Sequence, residues 1–112
     1  MLLAFGHAQA RERAPTSAPV LVSNLPAEAQ SVARSIRSGG PFAYSKDGIV
    51  FANRERILPS ERRGYYREYT VATPGARDRG ARRIVCGGKQ PTAPVACFYS
   101  NDHYASFHRI TP

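Results

Sequence analysis

The fold of this sequence is limited most strongly by a single helical pattern. Only β-forming runs follow it along the chain. Apolar residues with the i, i+3, i+4, i+7 spacing of one helix face are Ala29, Val32, Ala33 and Ile36. Asn24-Leu25-Pro26 precedes them and offers an N-cap with a proline near the first helical position. Gly39-Gly40-Pro41 follows them and ends the helix. The sequence therefore predicts one helix near the start of the folded region.

The rest of the chain alternates between β-forming runs and turn signals. β-Branched and aromatic residues are concentrated in residues 65–71, 81–86 and 104–110, and glycine or proline residues separate these runs. Turn-forming residues at 44–48 lead into the short apolar run 49–51. One helix followed by several strands predicts an α+β fold with an antiparallel sheet.

The length of 112 residues allows one domain, and 42% apolar residues suffice for one modest core. Near the start, residues 2–5 are apolar and Ala8-Gln9-Ala10 has the small-x-small form of a signal-peptidase site. We therefore expect a signal-peptide remnant and flexible leader over 1–19, a folded domain over 20–112, and secretion. The alternative origin of 1–19 is a linker that once followed a larger delivery module. No run approaches the roughly 20 apolar residues of a membrane-spanning helix.

The charge balance points to a polyanionic partner. The sequence holds 16 basic residues against 8 acidic ones, a net charge of +8, and the only lysines are Lys46 and Lys89. Arginine presents a planar fork of donors that matches two phosphate oxygens at once. An arginine bias of this size therefore favours phosphate recognition.

Three features are candidates for catalysis, and each has a structural alternative. Glu68 lies in the middle of a predicted strand, so it is either an ion-pair partner or a catalytic base. The run 77–83 holds four arginines and is either a solvated loop or an anion site. If Arg82 and Arg83 begin a strand, they face opposite sides of the sheet, and only one shares a face with Glu68. His103 is either a turn residue or a proton donor near neutral pH.

The loop Phe51-Ala52-Asn53-Arg54-Glu55 combines groups that suit a nucleobase. An aromatic ring and a guanidinium can stack on both faces of a base. Backbone N–H groups can donate to a carbonyl, and the carboxylate of Glu55 can accept two adjacent N–H donors. Guanine presents that combination on its Watson–Crick edge, whereas the structural alternative is an ordinary charged loop.

Metal and cofactor motifs are missing from the sequence. Two cysteines and three histidines without ligand spacing disfavour zinc, and the acidic residues are not clustered as magnesium or calcium requires. No glycine-rich phosphate loop occurs. We therefore expect no cofactor and no metal, with arginines in place of a cation at any phosphoryl-transfer site.

These motifs together resemble a known family. The matching segments are Gly40-Pro41-Phe42, 44–51, Asn53-Arg54-Glu55, Leu58-Pro59, Gly64-Tyr65-Tyr66, 68–71, 73–77, Arg79-Gly80 and 102–105. They closely resemble the secreted guanyl-specific ribonucleases of streptomycetes, which belong to the barnase-like group of microbial ribonucleases. The likeness covers roughly 20–110 in one order with one insertion. It implies the microbial ribonuclease fold, with one N-terminal helix packed on a twisted antiparallel sheet.

The resemblance implies a catalytic role for each matching residue. Glu68 would be the general base that takes the proton from the ribose 2′-hydroxyl, and His103 the general acid that protonates the departing 5′-oxygen. Arg79 and Arg83 would hold the scissile phosphate, and Tyr104 would assist them. The reaction would form a 2′,3′-cyclic phosphate and then hydrolyse it to a 3′-phosphate, with a bell-shaped pH profile.

The resemblance also assigns the base site and the partners. Phe51 and Arg54 would flank guanine, Glu55 would accept its two N–H donors, and the backbone of Ala52, Asn53 and Arg54 would bind its carbonyl edge. We expect a monomeric enzyme that acts on single-stranded RNA, has no membrane partner, and is open to inhibition by a small acidic barstar-like protein. The alternatives are a ribonuclease toxin domain released from a delivery module and an inactive basic RNA-binding module.

The cysteines depart from the family pattern. The streptomycete enzymes join their N-terminal strand to the C-terminus by a disulfide, but here Leu21 occupies the first of those positions. Cys97 instead follows the inserted residues 90–96, after the strand that carries Cys86. The sequence leaves open whether Cys86 and Cys97 form a bridge or remain two thiols.

Overall fold

A six-stranded sheet with one α-helix on one face forms the fold in the computed structural model, which describes residues 16–112. The elements are β1 (Ser17–Leu21), α1 (Ala27–Ser38), β2 (Ile49–Val50), β3 (Tyr66–Thr70), β4 (Arg83–Gly87), β5 (Ala96–Ser100) and β6 (His108–Thr111). The strand order is β1-β6-β5-β4-β3-β2. The predicted α+β class is confirmed. Among the described residues, no helix is long and apolar enough to cross a membrane.

Strand β1 pairs in parallel with β6, and the other neighbouring strands pair antiparallel. The sheet is therefore mixed. The domain boundary predicted at Val20 falls inside β1, because the Ser17 N–H donates to the Phe107 carbonyl at 2.8 Å. Residues 17–19 thus belong to the sheet and not to the leader. Residues 1–15, which include the predicted signal-peptidase site, lie outside the described residues.

The helix ends where the sequence predicts but begins differently. Gly39 adopts the left-handed conformation, with φ 81°, and closes the last turn of α1. At the other end Pro26 is the capping residue, without a side-chain hydrogen bond, whereas Asn24 lies in a 3₁₀ turn. Ala29 and Ile36 are buried against the sheet. The helix covers one face of the sheet and leaves the other for the loops.

The two faces of the sheet carry separate apolar clusters. The helix-side cluster contains Leu25, Ala29, Ile36, Tyr69, Val71, Ile84, Cys86 and Tyr99. The cluster on the other face contains Leu58, Tyr66, Val85, Phe98 and Phe107. Adjacent strand residues alternate between the two clusters, as the period of a strand requires. Glu68 lies opposite Val85 in the register, which places it on the face away from the helix.

Two strand predictions differ from the structure. Strand β5 was not predicted, and it forms because the inserted residues make a turn in which the Val95 N–H donates to the Gly87 carbonyl at 2.8 Å. The run 104–110 was predicted as one strand, but β6 begins only at His108. Tyr104 lies in a turn with φ 74°. Aromatic and β-branched residues predicted a strand there, and hydrogen bonds to the turn override that preference.

Cys86 and Cys97 form a disulfide between directly opposite residues of β4 and β5. Their Cα atoms lie 4.0 Å apart, and the bridge closes a loop with a sequence separation of 11. The bridge therefore joins the central strands through the hairpin that carries the insertion.

Replacing both cysteines with alanine is expected to lower the free energy of unfolding by about 3 kcal/mol, because the bridge no longer restricts the unfolded chain. Urea unfolding followed by circular dichroism measures the loss. Wild-type protein treated with a reductant is the matched control and should unfold at the same urea concentration as the double variant. Equal midpoints for the oxidised wild type and the double variant would contradict this role.

Candidate active site

The carboxylate of Glu68 is held between a phenol and a guanidinium. Its side chain is 14% exposed on β3, and Arg79 Nη2 lies 3.7 Å from its Oε1 atom. The hydroxyl of Tyr104 donates a hydrogen bond to the same oxygen. A half-buried carboxylate with these two partners is oriented, and it can still accept a proton.

Arg83 is fixed beside Tyr104. The residue is 2% exposed, and its Nη1 atom donates to the carbonyls of Gly80 at 3.0 Å and Arg82 at 2.8 Å. Its Nε atom donates to the hydroxyl of Tyr104 at 3.1 Å. The guanidinium is therefore held in one orientation by three bonds, with its charge directed at the phenol that contacts Glu68.

Tyr104 links the two charged groups. Burial raises its pKa to about 12, and the hydrogen bond to Glu68 adds to the rise, while Arg83 lowers the pKa. The phenol therefore stays protonated near neutral pH. It can donate to Glu68 or to an anion that enters between them.

Arg79 approaches Glu68 from the loop before β4. Its Nε and Nη2 atoms donate to the hydroxyl of Thr70 at 3.1 and 2.9 Å. The next residue, Gly80, has φ +68°, and a Cβ there would lie 2.6 Å from the Thr73 hydroxyl oxygen. Only glycine fits this close approach, so Gly80 fixes the path of the loop that presents Arg79.

The neighbouring arginines divide between the two faces, as the strand period predicts. Arg82 Nη1 lies 3.8 Å from a carboxylate oxygen of Glu28 on α1, whereas Arg83 contacts Tyr104 on the other face. Arg77 is exposed. Within this run, Arg79 and Arg83 therefore contact the residues of the cleft, whereas Arg82 and Arg77 do not.

His103 stands at the rim of the site. Its side chain is exposed, and its ring centroid lies 4.8 Å from that of Tyr104. The backbone N–H of His103 donates to the Ala81 carbonyl at 2.9 Å. Both His103 and Tyr104 have positive φ, 57° and 74°. This turn brings the imidazole to the same cleft as Glu68 from a separate part of the chain.

The predicted base-binding loop forms the opposite wall of that cleft. The cleft has a volume of about 800 Å³ and is lined by 50–55, Ile57, Glu68, 103–105 and Phe107. The ring of Phe51 lies 5.0 Å from the ring of Tyr104 at an interplanar angle of 34°. Arg54 and Glu55 are exposed at the mouth. A cleft of this volume is large enough for a nucleobase.

Asn53 shapes the loop through its side chain. Its Oδ1 atom accepts the Leu58 N–H at 3.2 Å, and its Nδ2 atom donates to the Leu58 carbonyl at 3.0 Å. The residue has φ 55°, a conformation that asparagine tolerates better than most residues. The side chain therefore holds the loop, which leaves the backbone around Asn53 for a ligand.

The structure brings most of the predicted site together. The cleft lining includes Glu68, His103, Tyr104 and residues 51–55. Arg79 and Arg83 are not part of the lining and lie behind Glu68 and Tyr104. Cys86 and Cys97, for which the sequence left a bridge and two thiols both open, are bonded to each other in β4 and β5 outside this cleft.

Sequence reasoning missed the residues that support the predicted catalytic side chains. Thr70 holds Arg79, and Ser100 and Asp102 bond to the turn that carries Tyr104. Asp102 next to His103 was a turn signal of the kind that Asp and Ser provide. Nothing in the pattern distinguished the buried hydroxyls of Thr70 and Ser100 from ordinary strand positions.

Comparison with known proteins identifies the family of this chain. A family model described as ribonuclease matches residues 8–111. Guanyl-specific ribonuclease Sa of Kitasatospora aureofaciens is 52% identical over 94 residues, which are 84% of this chain and 94% of that protein. Guanyl-specific ribonuclease St of Saccharopolyspora erythraea is 50% identical over 92 residues, which are 82% of this chain and 85% of that protein.

A solved structure shares the fold. The crystal structure of ribonuclease Sa2 with guanosine-2′-cyclophosphate has a TM-score of 0.76 and 46% identity, covering 85% of this chain and 96% of that one. The resemblance stated from the sequence and the microbial ribonuclease fold are both confirmed. The chain belongs to the ribonuclease family.

Proposed function

We propose that this protein is a guanine-preferring endoribonuclease that cleaves single-stranded RNA. It forms a 2′,3′-cyclic phosphate by transphosphorylation and then hydrolyses it to a 3′-phosphate. One observation carries the proposal: Tyr104 and Arg79 both contact the Oε1 atom of Glu68. Glu68 lines a cleft whose other wall is the loop 51–55. The relatives named guanyl-specific ribonucleases, and the related structure with a guanosine cyclophosphate, support it.

Glu68 is the general base. It must remove the proton of the ribose 2′-hydroxyl so that this oxygen can attack the phosphorus. Its oxygen Oε1 already accepts a bond from Tyr104 and lies 3.7 Å from Arg79 Nη2. These two contacts hold the carboxylate in one place within the cleft, where a positioned base must lie.

His103 is the general acid. It lines the same cleft as Glu68 but comes from the turn after β5, whereas Glu68 lies in β3, so a separate group is available as the acid. Its exposure lets the imidazole regain a proton from solvent after each cycle. It protonates the 5′-oxygen that leaves as the cyclic phosphate forms.

Arg79, Arg83 and Tyr104 stabilise the charge that develops on the phosphoryl oxygens. Arg83 is held in advance by three hydrogen bonds, and Arg79 by two bonds to Thr70. Donors that are already oriented lose little free energy to rearrangement in the transition state. These groups supply the positive charge, and the reaction therefore proceeds without a metal ion.

The loop 51–55 selects guanine. Phe51 and Arg54 enclose the base, the carboxylate of Glu55 accepts its two adjacent N–H donors, and the backbone of Ala52, Asn53 and Arg54 donates to its carbonyl edge. Asn53 supports this role because its side chain is bonded to Leu58 and holds the loop in shape. The mouth of the cleft is open to solvent at Arg54 and Glu55, so a base within a single strand can enter.

Secretion, a monomeric state and recognition by a small acidic barstar-like inhibitor are part of the same proposal. The net charge of +8 supports an acidic inhibitor and a general attraction for RNA that weakens with salt. The oriented set Glu68, Arg79, Arg83 and Tyr104 favours an enzyme over an inactive RNA-binding module, because binding alone does not need a carboxylate beside a phosphate site.

Incubation with a short RNA that contains one guanosine, in EDTA, tests the proposed function. We expect a single cut on the 3′ side of that guanosine, because only guanine satisfies the loop 51–55 and no metal is needed. The same RNA with adenosine at that position is the control and should be cut far more slowly. Binding without any cut would favour the RNA-binding module, and cuts at every base would contradict guanine selection.

A further inference from the structure

The turn that carries His103 and Tyr104 is held in an uncommon conformation. Both residues have φ in the left-handed region, 57° and 74°, and neither is glycine. Two such residues in succession persist only where surrounding bonds enforce them. The bonds that do so are made by a residue to which the proposed mechanism gives no role.

Asp102 joins the two ends of this turn. Its Oδ1 atom accepts hydrogen bonds from the Ser100 hydroxyl at 2.9 Å and from the Ser106 N–H at 2.9 Å. Its Oδ2 atom accepts the Ser106 hydroxyl at 2.6 Å. Ser100 precedes the two left-handed residues and Ser106 follows them, so one carboxylate spans the turn.

Ser100 transmits this bond to the catalytic side. It is fully buried at the end of β5, opposite Arg83 in the register, and its hydroxyl oxygen accepts the Tyr104 N–H at 2.9 Å. Because the Ser100 hydroxyl donates its hydrogen bond to Asp102, the lone pairs of the Ser100 oxygen are left to accept from the Tyr104 N–H. The backbone of Tyr104 is therefore fixed by Asp102 through one intervening hydroxyl.

The bonds to Asp102 suit its ionised form. The hydrogen bond from the Ser106 hydroxyl, together with those from the Ser106 N–H and Ser100, holds the pKa of Asp102 below its usual range. Although it is exposed, the ionised carboxylate accepts three hydrogen bonds within the turn and so stabilises the turn conformation.

We propose that Asp102 is a positioning residue, whose carboxylate acts through Ser100 and Ser106 to hold His103 and Tyr104 in the left-handed turn that faces Glu68. Its effect on rate rests on the proposed function. Asp102 bonds to Ser100 and Ser106 and does not line the cleft. Its loss therefore affects the proton donor and the phenol, not guanine binding.

Kinetics of guanylyl-3′,5′-cytidine cleavage test this role in two variants. In Asp102→Ala we expect kcat to fall about 10- to 100-fold, because a small displacement of reacting groups has effects of this size. We expect KM to change less than about threefold, since the loop 51–55 is unaltered. In Asp102→Asn, whose amide oxygen can accept the Ser100 and Ser106 bonds and whose N–H can donate to the Ser106 hydroxyl, most of kcat should return.

Glu28→Ala and Ile36→Val are the matched controls. The first removes an acidic charge on the opposite face, and the second removes one methyl group from the helix-side core. Both should retain the wild-type kcat below their melting temperatures. A wild-type kcat in Asp102→Ala would overturn the proposal, and so would an equal loss in Ile36→Val at matched stability. Ser106→Ala, which removes only the hydroxyl bond, should show a smaller loss of the same kind.

A measurement that does not depend on enzymatic activity separates this inference from the proposed function. Wild-type protein that leaves the dinucleotide intact would contradict the function, and NMR couplings between the N–H and Hα protons of residues 103 and 104 would still decide the inference. These couplings report φ. We expect them to change in Asp102→Ala and to return in Asp102→Asn, whereas unchanged couplings in Asp102→Ala would overturn the proposal.

Discussion

Glu68→Gln is expected to lower kcat for transphosphorylation of a guanosine-containing dinucleotide about 10²- to 10⁴-fold, the usual effect of losing a general base. The amide keeps the size of the side chain, and its oxygen can still accept the Tyr104 hydroxyl that Glu68 accepts now. It cannot take the 2′-hydroxyl proton. Steady-state kinetics on guanylyl-3′,5′-cytidine measure the loss, and KM should change little because the proposed guanine site is the loop 51–55 and not Glu68.

The fold should survive this substitution. The contact of Glu68 with Arg79 is 3.7 Å long and Arg79 is partly exposed, so its loss costs less than about 1 kcal/mol. Urea unfolding should therefore show a midpoint close to that of the wild type. A folded Glu68→Gln protein with wild-type kcat would exclude Glu68 as the base.

Arg83→Lys is expected to lower both activity and stability. Lysine keeps the charge, but an ammonium group cannot bond at once to the carbonyls of Gly80 and Arg82 and to the Tyr104 hydroxyl. We expect kcat to fall about 10²- to 10³-fold, as for removal of an oriented transition-state donor. Because buried acceptors lose their partners, the free energy of unfolding should fall by about 2–3 kcal/mol.

Arg82→Lys is the control for that variant. It makes the same change one residue earlier on the same chain, where the side chain faces α1 and lies 3.8 Å from Glu28. We expect kcat and the unfolding midpoint to stay close to the wild-type values. Wild-type kcat in Arg83→Lys would show that charge alone, and not the fixed orientation of Arg83, assists the reaction, and equal losses of kcat in the two variants would show that the effect is not specific to Arg83.

The helix and the division of the arginines were predictable because local rules determine them. The end of α1 follows from the conformational freedom of Gly39, and its buried face follows from the spacing of apolar residues such as Ala29 and Ile36. The separation of Arg82 from Arg83 follows from the period of a strand. None of these features depends on contacts between distant parts of the chain.

Strands β1 and β5 were not predicted, because their formation depends on partners far along the chain. Residues 17–19 are Ser-Ala-Pro, which lack strand preference, and they join the sheet only because β6 offers a free edge. Pro19 is tolerated since an edge strand can leave a donor position unfilled. The insertion before β5 separates the two strands, so the sequence did not predict the hairpin that the disulfide joins.

The site residues were predictable in type but not in arrangement. From the residues alone, Glu68 and His103 each had a structural alternative, and the resemblance supplied their roles. The support by Thr70, Ser100 and Asp102 arises from contacts between β3, β5 and the following turns. A left-handed turn at His103 and Tyr104 stands where the sequence predicted the start of a strand, since side-chain hydrogen bonds outweigh the strand preference of the run.

Mass spectrometry of the ends produced from the one-guanosine RNA is the most direct measurement of the mechanism. We expect a 2′,3′-cyclic phosphate on the guanosine early in the reaction, its later conversion to a 3′-phosphate, and a 5′-hydroxyl on the other fragment. This order of products requires attack by the 2′-oxygen, the step that we propose Glu68 assists as the base. A guanosine that ends in a 3′-hydroxyl, beside a fragment with a 5′-phosphate, would contradict it.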